Sequence, residues 1–600
     1  MAQRQMGYER RGVRTGVVRA LARSTLLSLS FVVAVATGCK SRRSEPDVGK
    51  VWTPNRVDAV MGVPTSAVTA SIKTQLTTRP QSIPLDRWKH MQQLYTEYGN
   101  VPLWLDADGF NQARSRALLR SVIDASSDAL RLDAYPLNEL VATVGAVRGT
   151  KQASAEQLAR ADVLFTSTYV ELAEDLLTGQ VDPKSLEQDW HIAAGHEPID
   201  SAVARSLRDP QLDSAIARMR PRDSEYDALR RSLASFRAIV AAGGWAVVPA
   251  GKALKPRQTD TPARLAALRE RLRVEGFGTS ADAAATPVAV PNEPSGASEA
   301  VRATTPGASA YDVGLAGLVA DFQARHGIAV DSMLGAETVK SLNVPADYRL
   351  AQLAANLERY RWLPRSFGGR YIIVNVPAFR LEAHDSTSTL EMKVIVGEEF
   401  EGKTTPVFAD SMETVVFRPF WNITPNIQAK ETAPKIAADP KYMEANNLEY
   451  FKDGGDTRIR QKPGPKNSLG LVKFLFPNAF NIYLHDTPDS ALFAKDVRAF
   501  SHGCIRLEKP NELAQWVLGW DAAKVDSAMQ QGPDNQSTRL SKKIPVYIVY
   551  ATAYEREGQL YFGNDLYSRD DALVKAVSGS VSPSPDALRS LVELRKLVQE

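Results

Sequence analysis

Three textures of apolar spacing follow one another along the chain. Over residues 85–250 apolar side chains recur every three or four positions, the spacing of one helical face. ARSRALLRSVIDAS sets Leu118, Leu119, Val122 and Ile123 on such a face, and ADVLFTSTYVELAEDLL repeats the habit. SEYDALRRSLASFRAIVAAGG ends at Gly243-Gly244, a pair suited to stopping a helix. A helical domain is expected there. Residues 260–345 predict a smaller three-helix unit. Its helices are TPARLAALRERLRVEGF, then YDVGLAGLVADFQARHG with Leu315, Leu318, Val319 and Phe322 at helical spacing and Gly327 at its end, then AETVKSLN. Residues 280–310, between the first two, are rich in Ala, Pro and Ser and predict a flexible loop.

From about residue 371 the pattern turns to strands. YIIVNVPAFRLEAH, LEMKVIVG and ETVVFRPFWNI alternate or cluster Val, Ile and Phe, and LVKFLF, FNIYLHDT and KIPVYIVYATAY resume the habit. Residues 425–451 are polar and helical, like an insertion over a sheet, and EKPNELAQWVLGW predicts a further helix. A mostly β domain over 350–560 is expected. Residues 39–84, rich in Ser, Thr, Pro and Arg, read as a tether, and residues 561–600 as a tail of polar helix and linker.

Six hundred residues exceed what one hydrophobic core serves, so three or four domains are expected. The net charge of +4 is small for this length and argues against nucleic acid as a partner. The N-terminus differs from the rest. Arg4, Arg10, Arg11, Arg14, Arg19 and Arg23 precede the short apolar run LLSLSFVVAVATG, the layout of a secretory signal over residues 1–38. ATGC, ending at Cys39, resembles a bacterial lipoprotein processing site, which implies a lipid on Cys39 and a membrane as partner.

Only two cysteines are present, Cys39 and Cys504. With Cys39 lipidated or removed, Cys504 has no partner for a disulfide within the chain, and a structural zinc site lacks its ligands. Cys504 lies in FSHGCIRLEKP, with His502 two residues before it and Arg506 two after. On an extended segment His502 and Cys504 share a face, and His485 leaves a strand nineteen residues earlier, far enough back for the chain to return. A thiolate attacks carbonyl carbon well if a base or cation lowers its pKa, and Gly503 lets the backbone approach a substrate. Arg506 carries forked donors for a carboxylate. From the residues alone two roles stay open for Cys504: nucleophile, or buried small hydrophobe, the usual fate of a lone cysteine. His90, His191, His196, His326 and His384 read as surface or packing residues, and Trp421 and Phe474 as core more than groove.

SHGCIRL resembles the active-site signature of the L,D-transpeptidases, bacterial cell-wall enzymes with a cysteine nucleophile. RQKPGPKNSLGLVKFLFPN, IYLHDTP and VRAFSHGCIRLEKP follow in the order of that family's large subgroup, and ANLERYRWLP and WNITPNI fit as well. FQARHGIAVDSMLGAETVKSLN resembles a peptidoglycan-binding helical module, with Ser332 where glycine is usual. PLWLDADGF, LLTGQVDP and GGWAVVP fit the subgroup's helical scaffold, so the resemblance spans roughly residues 85–570. It implies a multidomain α+β chain: helical scaffold, three-helix peptidoglycan-binding-like module, and β-rich catalytic domain with residues 425–451 as a helical lid. It also implies Cys504 as nucleophile and His485 as general base. Gly503 and the Cys504 amide would lie at the oxyanion site with Tyr483 close by, while Ser501, His502 and Arg506 shape the loop and substrate site. The group orienting His485 stays unassigned, a backbone carbonyl being one candidate, because Asp486 stands where some relatives have glycine or serine. The activity implied is 3→3 cross-linking of peptidoglycan tetrapeptide stems, with no metal or cofactor. Alternatives are an L,D-carboxypeptidase or protein-anchoring enzyme on the same thiol, and, from a different class, a non-catalytic wall-binding anchor. The location implied is the periplasmic face of the envelope, with Lys40 permitting an outer-membrane address.

Overall fold

The computed structural model describes residues 51–599 except 187–188, 194–197, 279–308 and 400–402. The signal segment, Cys39, Lys40, His196 and nearly all of the loop expected at 280–310 lie outside the described residues.

The first core begins with the helices α1 (Thr65–Gln75), α2 (Leu85–Glu97), α3 (Gln112–Asp124), α4 (Leu137–Gly149), α5 (Ala155–Thr178), α6 (Ile199–Leu207) and α7 (Leu212–Ala217). The long α5 starts at a capping box, Ser154 with Gln157, and buries Phe165 and Tyr169 against Trp104. Its Asp162 accepts from Tyr95 Oη at 2.6 Å and from the amides of Leu103 and Trp104, which is how the PLWLDADG turn is held. Burial pushes the Asp162 pKa up to about 6. The tether reading fails here. TSAVTASIKTQ is a helix whose Val68 and Ile72, followed by Leu76, form a buried stripe four residues apart, masked in the sequence by small Ser and Thr neighbours.

Helix α8 (Ser224–Ala241) belongs by spacing to the same helical domain, but its Tyr226, Leu229, Leu233 and Phe236 join the core of the β domain. Between α8 and the strands, in chain order, comes the third core: α9 (Pro262–Val274), α10 (Val313–Arg325) and α11 (Ala336–Leu342) around Leu268, Leu272, Val319 and Phe322. Gln323 staples that module, its Nε2 donating to Asp331 Oδ1 and Thr338 Oγ1 while its Oε1 accepts from the Ser332 amide. Ser332 takes φ +58°, the left-handed turn that favours glycine. Helix α12 (Ala346–Arg361) then runs through the interior with almost every side chain buried.

Eight strands close a barrel: β1 (Tyr371–Asn375), β2 (Arg380–His384), β3 (Thr389–Gly397), β4 (Val407–Phe417), β5 (Val472–Leu475), β6 (Leu484–His485), β7 (Ile505–Leu507) and β8 (Gln536–Val549). The order is β5-β6-β7-β3-β2-β1-β8-β4, and β4 pairs back onto β5. Pairs β6/β7 and β8/β1 are parallel, the rest antiparallel. Closure removes free edges, and the alternating residues Ile372, Val374, Leu381, Val394, Phe474, Leu484, Ile505 and Val546 fill the inside. A short strand from the helical region, Trp190–His191, adds itself to β4.

The insertion departs from its helical expectation. Helical turns occupy residues 425–445, but Leu448–Asp453 and Asp456–Gln461 form a hairpin that pairs with Trp421–Asn422. Tyr450 and Phe451 there follow strand propensity, and Gly454-Gly455, both at positive φ, make the turn. After α13 (Pro510–Leu518), the predicted tail also departs. Helix α14 (Asp570–Val581) packs on α12, and α15 (Pro585–Gln599) returns to α3 and α4, burying Ala587, Leu591 and Leu594. Their i, i+4, i+7 spacing is an apolar stripe in an otherwise charged helix. Among the described residues no helix is long and apolar enough to cross a membrane.

Candidate active site

Register on three neighbouring strands builds the site. Phe474, Leu484 and Ile505 are Cα partners and point inward, so their sequence neighbours Lys473, His485 and Arg506 form a row on the outer face. Val416 on β4 and Ile395 on β3, both buried, bound that row on either side. Tyr483 and Cys504 occupy the next outward positions of β6 and β7, so parallel pairing brings residues from two distant sequence segments together.

His485 is buried, and its Nδ1 lies 2.5 Å from the carbonyl oxygen of Asp486. A carbonyl can only accept, so Nδ1 carries the proton and Nε2 keeps its lone pair. That carbonyl is the orienting group the sequence left unassigned. The Asp486 carboxylate turns elsewhere, accepting from the Leu471 and Thr487 amides. It sits against Gly470, where an added Cβ would come within 2.3 Å of its carboxyl carbon. Burial, then the charges of Arg506 and Lys473, lower the His485 pKa to about 3 against the pull of the Asp486 carbonyl.

Cys504 is half-buried, and its sulfur lies 3.7 Å from the Asn481 carbonyl oxygen. Burial pushes its pKa up to about 11, opposed by the Tyr483 amide and hydroxyl and by the charges of Arg506 and Lys473. Thiol and imidazole are therefore both neutral at rest. Among the described residues no hydrogen bond joins them, and catalytic hydrogen bonds often tighten only on substrate binding.

The loop carrying Cys504 is held from behind. Ser501 Oγ donates to the Cys504 carbonyl at 2.5 Å and accepts from the Gly503 amide at 3.2 Å. Gly503 sits at φ +112°, so the chain bends between His502 and Cys504 and does not run extended. Thr405 Oγ1 donates to the Gly503 carbonyl at 2.8 Å and accepts from the Gly397 amide at 3.0 Å. Tyr567 Oη donates to the Gly397 carbonyl and accepts from the Thr405 amide. Nothing in the sequence singles out Thr405 or Tyr567: one lies in an unremarkable KTTP turn, the other in the supposed tail.

His502 faces the insertion, not the thiol, with Nε2 2.6 Å from Glu431 Oε1; Lys403 Nζ stands 3.9 Å from the same carboxylate. Arg506 lies 3.3 Å from Asp489. Of the residues expected to pack, Phe474 is in the barrel core, His191 lies tilted against Phe480 with ring centres 4.6 Å apart, and His326 is buried against Glu275. Among the described residues no cluster of three His, Cys, Asp or Glu side chains is arranged to hold a metal.

Residues 89–233 match the family described as the scaffold domain, and residues 369–548 match the L,D-transpeptidase catalytic domain. A protein of Haemophilus influenzae named "Putative L,D-transpeptidase" is 32% identical over 240 residues, covering 36% of this chain and 48% of that protein. The chain thus spans about half the length of that curated relative.

Proposed function

We propose that this chain, which carries a scaffold domain and an L,D-transpeptidase catalytic domain, forms 3→3 cross-links in peptidoglycan through a thioester on Cys504. The observation that carries the reading is the placement, on neighbouring strands, of a half-buried thiol and an imidazole whose tautomer is set by a carbonyl.

The Cys504 sulfur attacks the carbonyl carbon of the amide joining the stem's third residue, a diamino acid, to its terminal D-alanine. Its proton passes to His485 Nε2 as the S–C bond forms, because neither group ionises alone near neutral pH. The tetrahedral oxyanion is met by the Cys504 amide and the Tyr483 hydroxyl. His485 then protonates the leaving nitrogen, D-alanine departs, and a thioester remains. The side-chain amine of a second stem attacks that thioester and gives a proton to His485, the new amide forms, and the sulfur recovers the proton. Ser501, Thr405 and Tyr567 hold the loop at each stage, and Arg506 adds positive charge beside the sulfur. The insertion, tied to the loop at His502–Glu431, restricts water that would otherwise discharge the thioester.

The same reading assigns glycan holding to the α9–α11 module, which raises the local concentration of stems, and a lipid anchor at Cys39 on the periplasmic side of the envelope. The test is incubation of the full chain with a disaccharide-tetrapeptide, followed by mass spectrometry, beside Cys504→Ala. A dimer lacking one D-alanine, absent with the variant, supports cross-linking. Tripeptide without dimer moves the activity to hydrolysis. No product from a folded sample that still binds cell-wall sacculi returns the chain to a non-catalytic anchor.

A further inference from the structure

Lys473 has no part in the proposed cross-linking reaction, yet it stands beside His485, and any role for it there rests on that reaction. His485 Nε2 must hand its proton to the leaving nitrogen. In the departing D-alanine that nitrogen and the carboxylate share one carbon, so the carboxyl carbon stays about 2.5 Å from it. The carboxylate therefore lands next to the imidazole, wherever the rest of the stem runs.

Two cations flank His485 on its own face, Lys473 across β5 and Arg506 across β7. Arg506 already has Asp489 at 3.3 Å. Lys473 has no ion pair among the described residues: its Nζ lies 3.4 Å from the Phe420 carbonyl and 5.9 Å from the Tyr483 ring centre. Two acids of the site region are committed elsewhere, Asp486 to the Leu471 and Thr487 amides and Glu431 to His502. Burial lowers the Lys473 pKa, and only the Cys504 sulfur, when ionised, opposes that fall. A half-buried ammonium without a counter-charge among the described residues, in the same outer row as the imidazole beside which a carboxylate must fall, has the chemistry of a receptor.

We propose that the Lys473 ammonium receives the carboxylate of the leaving D-alanine and so restricts donor stems to those ending in a free carboxylate. The pairing has a second consequence for the same reaction. An occupied Lys473 no longer opposes positive charge on its neighbour, so the arriving carboxylate strengthens His485 as a base at the moment it is needed. Departure of D-alanine removes the carboxylate and restores the resting state.

The test compares a tetrapeptide ending in D-alanine with the same peptide ending in D-alanine amide, on the full chain. The first readout is turnover. Wild type is expected to favour the acid by about tenfold or more in kcat/KM, the scale of one charged hydrogen bond. Lys473→Met should bring the ratio near one by slowing the acid alone, and Lys473→Arg should retain most of the preference. The second readout needs no turnover: protection of Cys504 from iodoacetamide, quantified on its own peptide. The acid should protect wild type at lower concentration than the amide, and the two should protect Lys473→Met equally. Equal protection of wild type by both peptides, or a variant that slows acid and amide alike, overturns the proposal. Protection that discriminates without any turnover leaves Lys473 in place and removes the cross-linking reading instead.

Discussion

Two parts of the molecule keep ionisable side chains from water, and they do so in opposite ways. Along α12 the buried Arg359 and Arg361 are paired. Arg359 donates to Asp570 at 2.5 Å and to Thr552, Gln352 and Thr552 complete the Asp570 carboxylate, and Arg361 meets Glu358 and the Asp128 carbonyl. Gly179 admits that arrangement, since a Cβ there would fall 2.4 Å from Glu358 Oε1. On the outer face of the barrel Lys473, His485 and Cys504 have no ionic partners among the described residues, and each is driven toward its neutral form. The difference separates structure from chemistry. A saturated buried network locks domains together, whereas groups poised near neutrality can exchange protons with a substrate.

The sharpest way to break the comparison is to unpair the seam. Arg359→Met leaves Asp570 buried without its cation, and a loss of about 3–5 kcal/mol is expected in chemical denaturation followed by tryptophan fluorescence. A comparable effect, spread over several pH units, comes from acid. The unfolded chain binds a proton at His485 below its ordinary pKa of 6.5, while the folded chain resists until about 3. Stability is therefore lost as pH falls through that window, by up to about 1.4 kcal/mol per unit for this one group. His485→Gln should flatten the slope there by one proton, read from denaturation midpoints at several pH values. Thr405→Val removes the hydroxyl joining Gly397 to Gly503, and should cost about 1–3 kcal/mol while slowing Cys504 alkylation kinetics little. The smallest change is expected at Lys473→Met, within about 0.5 kcal/mol of wild type, because no ion pair is lost. A large destabilisation there would place Lys473 with the seam instead of the site.

Much of the fold is legible from spacing. The 3.6-residue period locates α3, α5, α8 and the three-helix module, and alternation locates the strands, because each element's buried face is written in its own residues. Spacing misleads where the apolar stripe is thin. Val68, Ile72 and Leu76 hide among threonines and serines, and Leu591 and Leu594 among charges, so both ends of the scaffold resemble linkers. Tyr450 and Phe451 merge into a helical pattern because a short polar hairpin has little periodicity to offer. Around the thiol, SHGCIR and YLH draw attention to Cys504 and His485, while Lys473, Thr405 and Tyr567 carry no local mark.

By itself the sequence determined the reactive group types, a thiol and an imidazole in motifs of distinct chemistry, and the sort of element each belongs to. Only the tertiary structure decided their company. The carbonyl that sets the His485 tautomer, the row Lys473–His485–Arg506, and the hydroxyls of Thr405 and Tyr567 behind Gly503 all depend on register between segments far apart in the chain. Periodicity tells which face of a strand is buried. Which residue stands opposite on the next strand is set by barrel closure and by the packing of a core that no single segment contains.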